Sequence, residues 1–116
     1  MLTDIFGSSP RVKVIDLFIS HPWTEYTKTD IANYSQIARS TLYDFLEELE
    51  NYGLIKKTKK VGNAQLYMVN MDSEVSKLIS AFQLSLAEIE IKKQTEDTED
   101  NITSDKLKNI EVPTSK

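Results

Sequence analysis

The residues of this chain that could do chemistry are few. There is one histidine, His21, and no cysteine, which removes metal sites built from several His or Cys and the thiol nucleophiles with them. A Ser-His-Asp mechanism would have to use His21, yet nothing in the chain resembles a nucleophile elbow. Placed before Pro22, His21 is expected to cap a helix end. Glycine occurs only at 7, 53 and 62, so there is no glycine-rich loop to cradle a phosphate. Glu96, Asp97, Glu99 and Asp100 lack the glycine and the terminal glutamate of a calcium loop and read as a solvated acidic segment. What remains is cationic: Lys56, Lys57, Lys59 and Lys60 place four charges within five residues. Such a cluster suits phosphates, and it equally suits solubility and protection of a strand edge. No catalytic residue, metal site or cofactor is expected, and the chain does not read as an enzyme.

The elements that must position these residues follow from hydrophobic spacing and from caps. Leu2, Ile5 and Phe6 share helical spacing and are cut off by Gly7. Ser8 or Ser9 then caps a helix with Pro10 in its first turn and Val12, Ile15, Phe18 and Ile19 on one face. Trp23 to Tyr26 has short-strand character, with Trp23 expected to cover the core of a small domain. Thr27 and Asp30 form a capping-box pair for a second helix carrying Ile31 and Ala32. The spacing of Leu42, Phe45, Leu46, Leu49 and Tyr52 predicts one continuous helix over 38–52, stopped by Gly53. Leu54 to Lys60 and Gln65 to Asn70 read as two strands joined by a turn containing Gly62 and Asn63. Asp72 or Ser73 caps a last helix. After Lys93 the chain turns polar and acidic, a composition that cannot offset the entropy of ordering, and disorder is expected over 94–116. The order helix, short strand, helix, helix, two-stranded hairpin, helix and tail makes a mainly α chain with a small β-hairpin.

At 116 residues, 40% hydrophobic and 28% charged, the chain has the size and composition of one ordinary globular domain. It has neither a membrane-length apolar run nor a secretory signal pattern, so a cytoplasmic location is expected. The formal charge of −4 is unevenly placed: residues 1–71 carry eight Lys or Arg against eight Asp or Glu, and residues 72–116 carry six against ten. A neutral body can still bind a polyanion if its cations gather on one face, because phosphate contact depends on local potential.

The run Asp30-Ile31-Ala32, followed by Ile37-Ala38-Arg39-Ser40-Thr41-Leu42-Tyr43, then Leu46, Leu49-Glu50 and Tyr52-Gly53-Leu54-Ile55, resembles prokaryotic winged helix-turn-helix transcription regulators of the MarR and ArsR kind. The resemblance covers residues 10–71 and is followed by a helix like the dimerisation helix of such proteins. Three positions depart from the pattern. Ser35-Gln36 stands where Leu-Gly is usual, so the turn is made without glycine's freedom at positive φ. Ala38, a poor cap, stands where a serine is usual, which leaves Ser35 or Gln36 to bond the open N–H groups. Asp44 and Glu47 place acid on the outward side of the long helix.

The resemblance implies a DNA-binding domain over 8–71, a dimerisation helix over 72–93 and an acidic tail over 94–116. A helix fits the major groove of B-DNA with its first turns best placed, which selects Arg39, Ser40, Thr41 and Tyr43, with Gln36 beside them. Arg39 suits a bidentate bond to guanine. Glu47, Glu48 and Glu50 would be repelled by phosphate, so only the first half of the helix should enter. Lys57, Lys59, Lys60 and Asn63 of the hairpin suit the backbone or the minor groove. Val75, Ile79, Phe82, Leu86 and Ile89 form one stripe on the last helix, with Leu84 and Ile91 off it. One domain surface cannot cover them all, and a second copy can. The partners implied are double-stranded DNA and a second copy of the chain; no effector is named. A rival reading, favoured by the neutral body and the acid of the long helix, is a winged-helix adaptor that holds another protein.

Overall fold

The computed structural model describes the backbone of residues 1–109 and the side chains of residues 1–95. It divides into two compact units, Met1–Gln83 and Leu84–Lys116. The boundary falls inside the last helix rather than at residue 72 or 94.

In the first unit, α1 (Leu2–Phe6) ends at Gly7, whose φ of 89° only glycine adopts freely. α2 (Pro10–Ser20) starts with Pro10 at its first position and Ser9 Oγ accepting from the Val12 N–H at 3.4 Å. His21 terminates it, and the cap is made by its backbone N–H, which donates to the Leu17 carbonyl at 3.2 Å. α3 (Lys28–Ser35) carries the capping box: Asp30 N–H donates to Thr27 Oγ1 and Thr27 N–H to Asp30 Oδ2, each at 3.1 Å. Trp23 does not cover the core. It is 84% exposed, and the short strand expected there is reduced to one bridge in which Tyr26 and Tyr67 exchange two backbone bonds of 2.8 Å.

The helix expected over 38–52 is two helices, α4 (Arg39–Tyr43) and α5 (Leu46–Asn51). At the break the N–H groups of Asp44 and Phe45 donate to the carbonyls of Thr41 and Leu42, three residues back, and Phe45 leaves helical geometry at φ −134°. This tightened turn keeps Leu42, Phe45, Leu46 and Leu49 all buried, so the apolar period runs through the break without marking it. Tyr52 lies beyond the end of α5 and is exposed.

β1 (Ile55–Val61) and β2 (Ala64–Val69) form the antiparallel hairpin, and α6 (Glu74–Asn109) follows. The core of the first unit joins Val14, Phe18, Ile31, Leu42, Leu49, Ile55 and Val69, all 2% exposed or less. Burial pushes the phenols of Tyr26 and Tyr67 above the ordinary tyrosine range.

α6 is fastened to this body at its first turn. Ser73 Oγ accepts from the N–H groups of Val75 and Ser76, while the buried Ser76 hydroxyl lies 3.1 Å from both the Gly53 and Leu54 carbonyls. Gly53 is required here: its φ is +84°, and a Cβ would stand 3.0 Å from Ser73 Oγ. Ser76→Ala leaves two carbonyls without that donor and should lower stability by about 1 to 2 kcal/mol, read as a fall in the urea midpoint with unchanged slope.

Residues 94–109, expected to be disordered, continue α6 as helix to Asn109. The rest of the expected tail, 110–116, lies outside the described residues. Among the described residues no helix is long and apolar enough to cross a membrane.

Candidate nucleic-acid interface

The turn between α3 and α4 is made by Gln36, in the left-handed region at φ 58° and ψ 48°. The Ile37 N–H closes the turn on the Ala32 carbonyl at 3.0 Å. A side chain other than glycine in this region costs roughly 1 kcal/mol. Ala38 caps nothing, and neither Ser35 nor Gln36 replaces it. The Ser35 hydroxyl is instead buried with no partner among the described residues. Gln36 lies apart from the other predicted contacts, in a hollow it shares with Lys13, Asp16 and His21.

Leu42, fully buried, anchors α4 and turns Arg39, Ser40 and Tyr43 outward, with Thr41 half-buried. Arg39 folds back along its own helix: Nη2 donates to Tyr43 Oη at 2.6 Å, and its guanidinium carbon lies 5.6 Å from the ring centre. Lys28, at the first position of α3, brings Nζ to 5.2 Å from the same ring centre. Lys28 was not among the residues predicted from sequence. Its only signal is its place in the first turn of the helix that precedes α4, the place at which the first helix of a helix-turn-helix crosses the DNA backbone.

The hairpin meets this cluster at its tip. Gly62, at φ 63°, and Asn63 form the two-residue connection. The register is Lys57 opposite Tyr67 and then Lys60 opposite Gln65, so β1 carries one extra residue between them, a bulge. Directly opposed residues share a face, so the bulge puts Lys57 and Lys60 on the face of Tyr67 and Gln65. In an unbroken strand, positions three apart would point to opposite faces. Lys56 points the other way and lies 4.0 Å from Asp72. Thr58 donates to Glu25 at 2.6 Å, which ties the strand to the loop before α3. Lys59 and Lys60 are exposed.

Between α3, α4 and the hairpin tip is a cleft of about 230 Å³ lined by Lys28, Arg39, Tyr43, Asn63 and Gln65, together with the threonines that flank Lys28. A second cleft of about 260 Å³ shares Lys28 and Tyr43 and adds Lys57, Glu47 and Glu50. The structure thus brings Arg39, Tyr43 and Asn63 to one place and Lys57 next to it, with Glu47 and Glu50 bounding the cationic region on the α5 side. Ser40 and Thr41 line neither cleft. The arrangement offers cations, hydroxyls and amides to an anion with hydrogen-bonding edges. Among the described residues no group of His, Cys, Asp and Glu is placed to hold a metal ion.

Elsewhere on the first unit, Leu2, Phe6, Val12, Ile15, Leu78, Ile79 and Phe82 line an apolar groove of about 500 Å³. Phe6 and Phe82 pack at 5.9 Å between ring centres, yet Phe6 is 60% exposed, Phe82 44% and Leu78 72%. Of the predicted interface stripe, Val75 and Phe82 are exposed in this unit, while Ile79 packs on its own core. Leu78, left out of the stripe, is the most exposed residue of the groove. In the second unit Leu86 is half-buried and Ile89 exposed.

No protein-family model matches the chain, and no curated protein sequence matches it. Solved structures do. The homodimeric winged helix-turn-helix DNA-binding domain of Mb0332 from Mycobacterium bovis, a possible ArsR-family transcriptional regulator, is 18% identical with a TM-score of 0.55, over 79% of this chain and 80% of that one. MepR, a transcription regulator of the Staphylococcus aureus multidrug efflux pump MepA, is 21% identical with a TM-score of 0.55, over 78% and 71%. The MarR family regulator SPO1453 from Silicibacter pomeroyi is 12% identical with a TM-score of 0.54, over 78% and 62%. A capped helix, a tight turn, a short second helix and a basic hairpin, in this order and with these likenesses, make the fold of the chain the winged helix-turn-helix fold seen in transcriptional regulators of the ArsR and MarR kind.

Proposed function

We infer that this protein is a DNA-binding transcriptional regulator that acts as a homodimer, and that it is not an enzyme. α4 enters the major groove with Arg39, Ser40, Thr41 and Tyr43, and the hairpin lays Lys57, Lys59, Lys60 and Asn63 on the backbone or in the minor groove. The observation that carries this reading is the convergence of Lys28, Arg39 and Asn63 around Tyr43 where the reading helix meets the wing. Although the first 71 residues are neutral overall, Lys28, Arg39 and Lys57 line two adjoining clefts there. The apolar groove between α1, α2 and α6 supports the homodimer, since so much exposed apolar surface in one place marks an association site. The adaptor reading is favoured by Trp23, a large aromatic held almost wholly in solvent.

Titration of random duplex at several salt concentrations separates the two readings. A DNA binder should lose affinity steeply with salt, and Lys59→Ala combined with Lys60→Ala should weaken all sequences about equally while making the log–log salt slope shallower by about 2 per subunit, about 4 for a bound dimer. Binding absent at low salt, or indifferent to salt, would leave the adaptor reading in its place.

A further inference from the structure

The DNA-binding reading assigns Arg39 and Tyr43 as separate contacts and counts Lys28 in the cationic cluster without giving it a contact of its own. The geometry argues for a single assembly. Arg39 and Lys28 come from different helices, form no ion pair among the described residues, and both stand within 5.6 Å of one tyrosine ring centre. Two cations gathered at one side chain repel each other, and Tyr43 gives each its own partner, the hydroxyl oxygen for Arg39 and the ring for Lys28. The hydroxyl does a second job. An arginine side chain in solvent samples many rotamers, and the 2.6 Å bond from Nη2 to Tyr43 Oη selects one while leaving the other guanidinium donors open.

We propose that Tyr43 is a positioning residue that holds Arg39 for base reading and Lys28 for a backbone phosphate, the hydroxyl serving the first and the ring the second. This rests on the DNA-binding reading and adds a division of labour to it. Lys28 is a phosphate contact because an ammonium is a point charge without the planar fork that reads guanine, and it stands at the rim of the cleft, on the helix before the reading helix. Glu47 and Glu50 line the adjoining cleft together with Lys28 and Lys57. They leave Arg39 unopposed and set the edge beyond which phosphate is not accepted.

The test uses two duplexes: one that the wild-type protein enriches from a random pool, and a scrambled duplex of the same composition. Tyr43→Phe should lower the ratio of specific to scrambled affinity about tenfold, with scrambled affinity and its salt slope unchanged. Lys28→Gln should weaken both duplexes equally and make the slope shallower by about 1 per subunit, about 2 for a bound dimer. Tyr43→Leu should show both effects at once. Since Tyr43 is half-exposed, the three variants should unfold within a few degrees of the wild type, and Tyr43→Phe removes a single atom. A Tyr43→Phe protein with full discrimination would overturn the positioning role. A Lys28→Gln protein with an unchanged slope would overturn the phosphate contact, and a Tyr43→Leu protein that keeps the wild-type slope would show that Lys28 acts without the ring. Failure of the wild type to bind either duplex is a different result and strikes the DNA-binding reading itself.

Discussion

Phe82→Asp is expected to turn the protein from a dimer into monomers, and this is the largest effect foreseen for one substitution. Phe82 packs on Phe6 in the groove of α1, α2 and α6 and still shows 44% of its surface, so half of this ring awaits a partner. A two-fold interface uses each residue twice. A carboxylate there must therefore be desolvated at two symmetric places, at about 3 kcal/mol or more for each, besides the lost aromatic burial. Sedimentation should show a monomer where the wild type is a dimer, with helical circular dichroism retained. Affinity for an inverted repeat should fall about a hundredfold or more, because two half-site contacts no longer act as one. Phe82 also supports its own subunit through Phe6, so Leu78→Lys is the companion variant: at 72% exposure it costs the isolated subunit little and should dissociate the dimer all the same. A wild type that sediments as a monomer at micromolar concentration would remove the idea.

Arg39→Ala should weaken the preferred duplex by roughly 1 to 3 kcal/mol and relax discrimination at one base pair per half-site, as expected when a bidentate base contact is lost. Scrambled duplex should be bound nearly as before. The reason lies in the position of Arg39 at the start of α4, the part of a reading helix that reaches base edges, while Glu47, Glu48 and Glu50 keep the rest of the segment away from phosphate. In a two-fold dimer the preferred duplex is an inverted repeat with half-site centres about 10 base pairs apart or a multiple of that. Footprinting of the enriched duplex checks the spacing. If Arg39→Ala leaves both affinities unchanged, α4 is not a reading head and the adaptor reading gains.

Much of the fold was legible because its signals are local. The Thr27–Asp30 capping box, the Ser9 and Ser73 caps, the glycine stops at 7 and 53 and the turn at Gly62-Asn63 each satisfy backbone groups within a few residues, so side-chain type at fixed spacing suffices to predict them. The buried stripe through Leu42, Phe45, Leu46 and Leu49 was equally plain, since one side of a helix must face a core wherever that core lies. The break between α4 and α5 was invisible for the same reason: a tightened turn leaves the apolar period intact. Trp23 and Tyr52 were misplaced because hydrophobicity says that a residue gains by burial and says nothing of whether a surface is there to bury it.

The sequence by itself determined which residues are cationic, which helix ends are capped and which faces are apolar, because these are properties of short stretches of chain. Only the tertiary structure decided what meets what. It set Lys28 beside Tyr43 across two helices, turned Lys57 and Lys60 to one face through an extra residue in β1, and sent Gln36 into a separate hollow in a left-handed turn. It also packed Ile79 against the core while leaving Leu78, its neighbour in the chain, at 72% exposure. These are distances between distant segments, and they follow from how helices and strands pack, which no spacing along one segment encodes.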